Sequence, residues 1–296
     1  MRILKTEQYI NEKLVIHPVT KDLLSKMKEE PSVDEKARRF IEKSNLVWNP
    51  KTMSYDCRGD VKVSEDIVVG GKLKIRFGKV GGDFNCRDNN LTTLEGAPKI
   101  VNGDFICYHN KLTTLEGAPQ KVDGGVYCND NKLTTLEGAP QKVDGGFNCS
   151  SNYLTTLEGA PNKVGKTFDC SKNELTTLEG APKKVGWHFV CNNNKLTTLE
   201  GAPNEVGGIF ICSDNNLTTL KGAPKKVDAF SCNDNNLTTL EGAPKKVGGD
   251  FACSSNELTT LDGAPKEVDG NFYCSDNPNL VLPEDKPIWV KGKIIS

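Results

Sequence analysis

The sequence predicts a repeat solenoid. It reads as a right-handed coil in which each turn adds one strand to a parallel β-sheet on a concave face, with an extended or 3₁₀ outer side and a small helical N-terminal segment. Three observations carry this. "LTTL" occurs nine times between Leu91 and Leu258. A cysteine recurs at 86, 107, 128, 149, 170, 191, 212, 232, 253 and 274, each 21 residues after the last except for a 20-residue step to Cys232. An asparagine stands three residues after every one of these cysteines, from Asn89 to Asn277. Self-similarity at a short fixed period marks a chain that grows along one axis, so 296 residues need not mean two globular domains.

Four zones follow in order. Residues 1–45 contain no repeat and read as a helical segment. Within it, "SVDEKARRFIEKSN" (32–45) places Ala37, Phe40 and Ile41 on one face, with Ser32 and Glu35 spaced as a capping box. "VTKDLLSKM" (19–27) suggests a second short helix. Residues 46–82 read as an N-terminal cap built of strands, with "YDC" (55–57) as a worn copy of the aromatic-x-Cys of the repeat. Residues 83–282 form an array of about ten repeats. Residues 283–296 read as a C-terminal cap in which "IWV" (288–290) forms a covering strand, since solenoid ends must be closed.

Within the repeat F-x-C-x-x-N-x-L-T-T-L-E-G-A-P-x-x-V-x-G-x, Phe and Cys are two apart, so both face inward from a strand. A polar Asn at a fixed place in a stacked core requires hydrogen-bond partners, and a ladder of side-chain amides bonded to neighbouring turns supplies them. The two Leu fill the core beyond the bend, "EGAP" interrupts regular structure, and the following Val returns inward. The cysteines read as small buried hydrophobes. One per turn is a poor zinc site, which needs four converging ligands, and His17, His109 and His188 share no spacing. Side chains pointing the same way off parallel strands also disfavour disulfides. Eleven cysteines is an odd number, and "MRILKTEQYINEKL" lacks a signal-peptide core, so a reducing, cytoplasmic setting is expected.

Aligned as V-x-x-F-x-C-x-x-N-x-L, the pattern resembles the leucine-rich repeat, L-x-x-L-x-L-x-x-N/C-x-L. It is most similar to the short repeats of bacterial type III effectors, over about 200 residues. "VDAFSCNDNNL" (227–237) fits that register directly, whereas the other copies carry one extra residue, read as a bulge at the strand entrance. "LTTLEGAP" together with "EQYINEKL" also resembles repeat proteins of tailed bacteriophages and gut bacteria. That resemblance implies a viral protein acting in the cytoplasm of a bacterial host.

Composition excludes several functions. Net charge is −1, so no basic excess drives nucleic-acid binding. No stretch of 18 apolar residues spans a membrane. "GAPNKVGKT" (159–167) misses phosphate-loop spacing by one residue, "RGD" (58–60) lies in the worn copy, and the Asn90, Asn216 and Asn236 acceptor motifs carry a buried Leu. The Lys pairs after Pro and the Glu of "LEGAP" form two stripes expected to offset each other. No nucleophile–base pair, metal set or cofactor fingerprint is present. What varies is the outward strand positions. Trp187, His188, Val190, Ile209 and Ile211 form one candidate patch, and Ile106, Tyr108, His109 and Tyr127 a second. Exposed apolar and aromatic groups on a sheet face mark partner sites. The sequence therefore predicts a monomeric, non-enzymatic scaffold without cofactor that binds a protein partner, a host factor. The alternatives are a structural component of a viral particle and a carbohydrate or surface binder.

Overall fold

A computed structural model describes residues 29–284 and 287–296. The helix expected over 19–27 lies outside the described residues. Helix α1 (Glu35–Lys43) buries Ala37, Phe40 and Ile41, the face read from the sequence. Its N-cap is Asp34 rather than Ser32: the Asp34 carboxylate accepts from the Ala37 N–H at 2.9 Å. An aspartate there caps the free N–H and also opposes the positive end of the helix dipole.

Each turn of the array contributes one strand to a twelve-stranded sheet that runs from Val61–Lys62 to Ile294–Ile295. Its strands are the Phe-x pairs, such as Phe84–Asn85, Phe147–Asn148 and Phe168–Asp169, each paired parallel to the next with Phe opposite Phe. Where the sequence predicts an extended or 3₁₀ outer side, the structure has a second parallel ladder. It is made of the Lys-Val pairs after "GAP", from Ile100–Val101 to Glu205–Val206, and joins the N-terminal strands in a nine-stranded sheet. A separate three-stranded stretch, Lys226–Val227, Lys246–Val247 and Glu267–Val268, follows. The break falls at the 20-residue repeat, while the Phe sheet runs through it with Phe210 opposite Phe230. The extra residue of the 21-residue repeats therefore lies in the bend between the sheets, not in a bulge. Removing it shortens that bend by one residue.

The core between the sheets is a set of identical files. Phe rings stack rung on rung at 5.2–5.6 Å from Phe147 to Phe272. Val126 replaces Phe in one rung and interrupts the stack. Edge-on aromatics close both ends: Phe77 on Phe84 at 71°, and Trp289 on Phe272 at 76°. A buried side chain of this size contributes about 1.5–3 kcal/mol, and each ring pair about 0.5–1.5 kcal/mol more.

The asparagine file is the ladder that the polar core residue demands. Asn173 Oδ1 accepts from the Leu154 N–H at 3.0 Å. Its Nδ2 donates to the carbonyls of Cys149 and Cys170, both at 3.1 Å. The arrangement repeats at Asn110, Asn131, Asn152, Asn194, Asn215, Asn235 and Asn256. Two residues after each Cys, the backbone is left-handed, φ 52–58°, which explains the frequency of Asp and Asn there.

At the N-terminal end, Ser54–Cys57 joins the Lys-Val ladder, with Tyr55 opposite Phe77 and Cys57 opposite Val80. "YDC" is thus not a copy of aromatic-x-Cys. That rung is formed by Val61 and Val63, with Val61 opposite Phe84 and the Val63 N–H donating to Asn85. Arg58, Gly59 and Asp60 form the bend between the two strands. At the other end, Val290 makes a single bridge to Val268, and the added strand is Ile294–Ile295 rather than 288–290.

Candidate binding face and its cysteine file

All eleven cysteines are free and buried. From Cys128 to Cys253, each thiol donates to the carbonyl just before the next cysteine. Cys128 bonds the Asn148 carbonyl at 3.2 Å, Cys149 that of Asp169 at 3.4 Å, and Cys253 that of Tyr273 at 3.4 Å. Burial pushes the Cys86 and Cys128 thiols up to about 12 and raises those between Cys149 and Cys253 as well. A thiol held in its neutral form is a poor nucleophile and a poor metal ligand. Among the described residues, no group of three or more His, Cys, Asp or Glu could hold a metal ion.

The outward face of the Phe sheet differs from turn to turn. Val190 and Ile211 are direct cross-strand partners, and Ile209 lies on the same strand as Ile211. The His188 Nδ1 accepts from the Ile209 N–H at 3.1 Å, which holds the imidazole at the edge of this group. Trp187 remains 54% exposed, with the Lys166 ammonium 5.5 Å from its ring centre. These five residues form one continuous surface.

The second candidate group divides. Ile106 and Tyr127 are cross-strand partners on the sheet. Tyr108 and His109 lie beyond the cysteine bend, in a polar cluster. Arg87 donates to the Tyr108 hydroxyl and lies over its ring. His109 sits between Asp88, 3.1 Å from Nδ1, and Asp130, 3.5 Å from Nε2. Tyr127 instead stays on the sheet with its ring beside Gly125, and with Trp187 it lines an open cleft of about 340 Å³ that also includes Asn148, Thr167 and Asp169. The Tyr127 hydroxyl is raised by burial first and by Asp104 and Asp83 second. Larger clefts, of about 740 and 1010 Å³, lie near the N-terminal rungs among Ser54, Asp56, Lys79 and Asp60. Neither is lined by Tyr or Trp.

The bend between the sheets explains how Trp187 reaches this face. In most rungs the residue two before Phe is Gly, because the bends stack closely. A Cβ on Gly145 would lie 2.5 Å from the Gly124 carbonyl carbon. In three successive rungs, "VGKTF", "VGWHF" and "VGGIF", a close approach is made one residue earlier, an added Cβ on Gly207 lying 2.1 Å from the Gly186 carbonyl oxygen. The first two of these rungs have no Gly at the next position. Gly165 lies against the Asp144 carbonyl and Gly186 against the Gly165 carbonyl, at 2.1 and 1.9 Å from an added Cβ. That frees the next position for Lys166 and Trp187.

The two charged stripes do not neutralise each other. Lys121 and Lys142 pair with Asp123 and Asp144 two residues on, and Lys184 and Lys246 with Glu205 and Glu267 on the next rung. Within the Glu file, Glu95 pairs with Lys72, and Glu200 with Lys221. Among the described residues no ion pair joins the post-Pro lysines to the "LEGAP" glutamates. Each stripe is compensated locally, and both face solvent.

A scan against protein families finds no match, and a search of curated proteins finds none. Among solved structures, the chain is similar to two leucine-rich-repeat proteins. One is YopM from Yersinia enterocolitica, at 15% identity and a TM-score of 0.36, covering 75% of this chain and 63% of that one. The other is the functional domain of InlJ from Listeria monocytogenes, which includes a cysteine ladder, at 21% identity and a TM-score of 0.42, covering 68% of this chain and 50% of that one. The chain thus spans less than two thirds of the length of either. Its own ladders of strands, leucines and asparagines are those of a repeat solenoid with parallel sheets, consistent with a leucine-rich-repeat fold.

Proposed function

We propose that this solenoid is a non-catalytic scaffold that binds a protein partner on the outward face of the Phe sheet, at Trp187, His188, Val190, Ile209 and Ile211. The observation that carries this reading is the contrast between positions. Inward residues repeat almost without change, whereas Val190 and Ile211 place apolar side chains together on a face where the rungs on either side carry Asp169 and Ser231. Ten rungs at about 4.8 Å give a face long enough for an interface of about 800 Å² per partner. Large apolar groups at the centre of such a face are favoured anchors. Ile106 and Tyr127 extend the same surface toward the N-terminal rungs.

A cytoplasmic, reducing setting is supported by the eleven free thiols. The resemblance to repeats of phage and gut-bacterial proteins makes a bacterial factor the partner to seek. The test is affinity capture from bacterial lysate with wild type and with Val190→Glu/Ile211→Glu. Both side chains project outward, so the double variant keeps the wild-type circular dichroism. The reading expects at least one protein captured by wild type and lost in the variant. Identical captures would move the site away from this face.

A further inference from the structure

We propose that the cleft between Tyr127 and Trp187 is a binding site for a neutral pyranose sugar, adjoining the protein-binding patch and sharing Trp187 with it. Its floor is formed by two adjacent rungs on which Asn148 and Asp169 stand directly opposite each other. Each side chain is fixed by the same local device. Asn148 Oδ1 accepts from the Ser150 N–H at 2.9 Å and the Ser150 hydroxyl at 2.7 Å. Asp169 Oδ1 accepts from the Ser171 N–H at 3.0 Å and the Ser171 hydroxyl at 2.6 Å. With one oxygen of each anchored, the remaining atoms are directed: Asn148 Nδ2 can only donate and Asp169 Oδ2 can only accept. Neither has a hydrogen-bond partner among the described residues.

A fixed donor next to a fixed acceptor is the complement of two neighbouring hydroxyls on a sugar ring. One hydroxyl donates to Asp169 Oδ2, and the oxygen of the other accepts from Asn148 Nδ2. The walls suit the same ligand, because the Tyr127 ring offers an apolar surface to the C–H face of a pyranose and the Lys166 ammonium over the Trp187 ring adds a donor at the rim. The charge balance selects a neutral one. Asp169 is the carboxylate of the floor and Lys166 the ammonium of the rim, so an anionic ligand would meet Asp169 and a cationic one Lys166. The arrangement is local to these rungs. Asn85 is tied to the Arg87 N–H in the same way, but its neighbour on the next strand is Ile106.

The test is a ¹H–¹⁵N NMR titration of the full chain with methyl α-mannopyranoside, methyl β-glucopyranoside and methyl β-galactopyranoside. Cyclohexanol, which has a six-membered ring but a single hydroxyl, is the control. Titration to about 50 mM covers the millimolar affinity of a shallow site. The proposal expects at least one pyranoside to shift the Asn148 side-chain amide and the Trp187 indole N–H saturably, and cyclohexanol not to. Asn148→Ala and the isosteric Asp169→Asn, which turns the acceptor into a donor, should each weaken binding at least tenfold. Ile211→Glu alone, two rungs from Asp169, should leave it unchanged, which separates this site from the protein-binding reading. The proposal is overturned if none of the three sugars shifts these signals. It also falls if cyclohexanol shifts them equally, or if both floor variants bind like wild type.

Discussion

The flanking rungs and the central rungs run the same inner ladder but treat their outer bend differently. In the flanking rungs the residue before Phe is an aspartate that hydrogen-bonds the next turn. Asp60, Asp83 and Asp104 accept from the N–H groups of Asp83, Asp104 and Gly125, and Asp250 accepts from that of Asn271. In the central rungs these positions are Gly146, Thr167, His188 and Ile209. Backbone bonds between the bends continue, but among the described residues the side-chain bonding there narrows to the His188–Ile209 contact, and Lys166 and Trp187 project from the bends. The Phe, Cys, Asn and Leu files continue through both regions. An inner ladder that holds each turn on its own leaves the outer bend free to exchange hydrogen bonds for exposed side chains.

The largest effect should come from breaking the inner ladder where the outer bend adds least. Asn173→Ala leaves the Leu154 N–H without a partner in a buried site and removes one of the two asparagine donors from each of the Cys149 and Cys170 carbonyls, which keep Asn152 and Asn194. The expected cost is about 3 kcal/mol, from about 1–3 kcal/mol for the orphaned N–H and about 0.5–1.5 kcal/mol for each hydrogen bond lost. Urea unfolding followed by circular dichroism reads it.

The bend itself gives the next contrast. Gly186→Ala places a Cβ 1.9 Å from the Gly165 carbonyl oxygen, whereas Gly146→Ala meets only the Thr167 carbonyl oxygen at 3.3 Å. The first should cost about 1–3 kcal/mol, as overpacking does, and the second well under about 1 kcal/mol. Equal melting temperatures for the two variants would remove the account of why Lys166 and Trp187 occur where they do.

The thiols set a pH dependence common to both regions. Their folded-state values are raised, so the stability they contribute is complete below the unfolded value of about 8.5 and declines as pH rises toward the folded values. Each buried thiol should lower stability by about 1.4 kcal/mol per pH unit above that point. Replacing Cys128 by Ala should flatten the alkaline limb of stability against pH by one such increment.

The smallest effect lies at the C-terminal rung. Hydrogen bonds from Lys246, then Lys291, hold Glu267 down to about 2. Because this value is depressed, the contribution is present above the unfolded carboxylate value of about 4.3 and fades as pH falls toward 2. Lys291 is exposed and Lys246 and Glu267 are half-buried, so the pairs are screened by solvent and Glu267→Gln should change global stability little. Its signature should be faster amide exchange at Val268 and Val290, weakened further by salt.

Much of the inner ladder was legible in the sequence because its positions are chemically extreme. A Phe and a Cys two apart must share a face, and a core Asn must find backbone partners. The second sheet was not legible. Its strands are two residues long, one of the two is usually an exposed Lys, and a bend follows at once, so no alternation is long enough to read. The first rung was missed because Val61 and Val63 carry neither Phe nor Cys, while "YDC" imitates the motif in the wrong ladder. Asp34 outranked Ser32 as a cap because the helix starts two residues later than the capping-box spacing implies.

Of the candidate site, the pairing of Val190 with Ile211 follows from the repeat period alone. The cleft does not. Tyr127 lies on a strand and Trp187 in a bend three rungs away, and nothing in the repeat spacing tells that this bend turns the indole onto the same face.

The central claim is that the inward files hold the fold while the outward residues of the central rungs carry recognition. The most direct test is to measure urea unfolding and partner capture on one variant, Val190→Asn/Ile211→Asn, which gives these rungs the outward residue found at Asn85 and Asn148. The account predicts an unfolding midpoint close to wild type together with loss of the captured protein. A midpoint that falls substantially, or a partner retained at full strength, would contradict it.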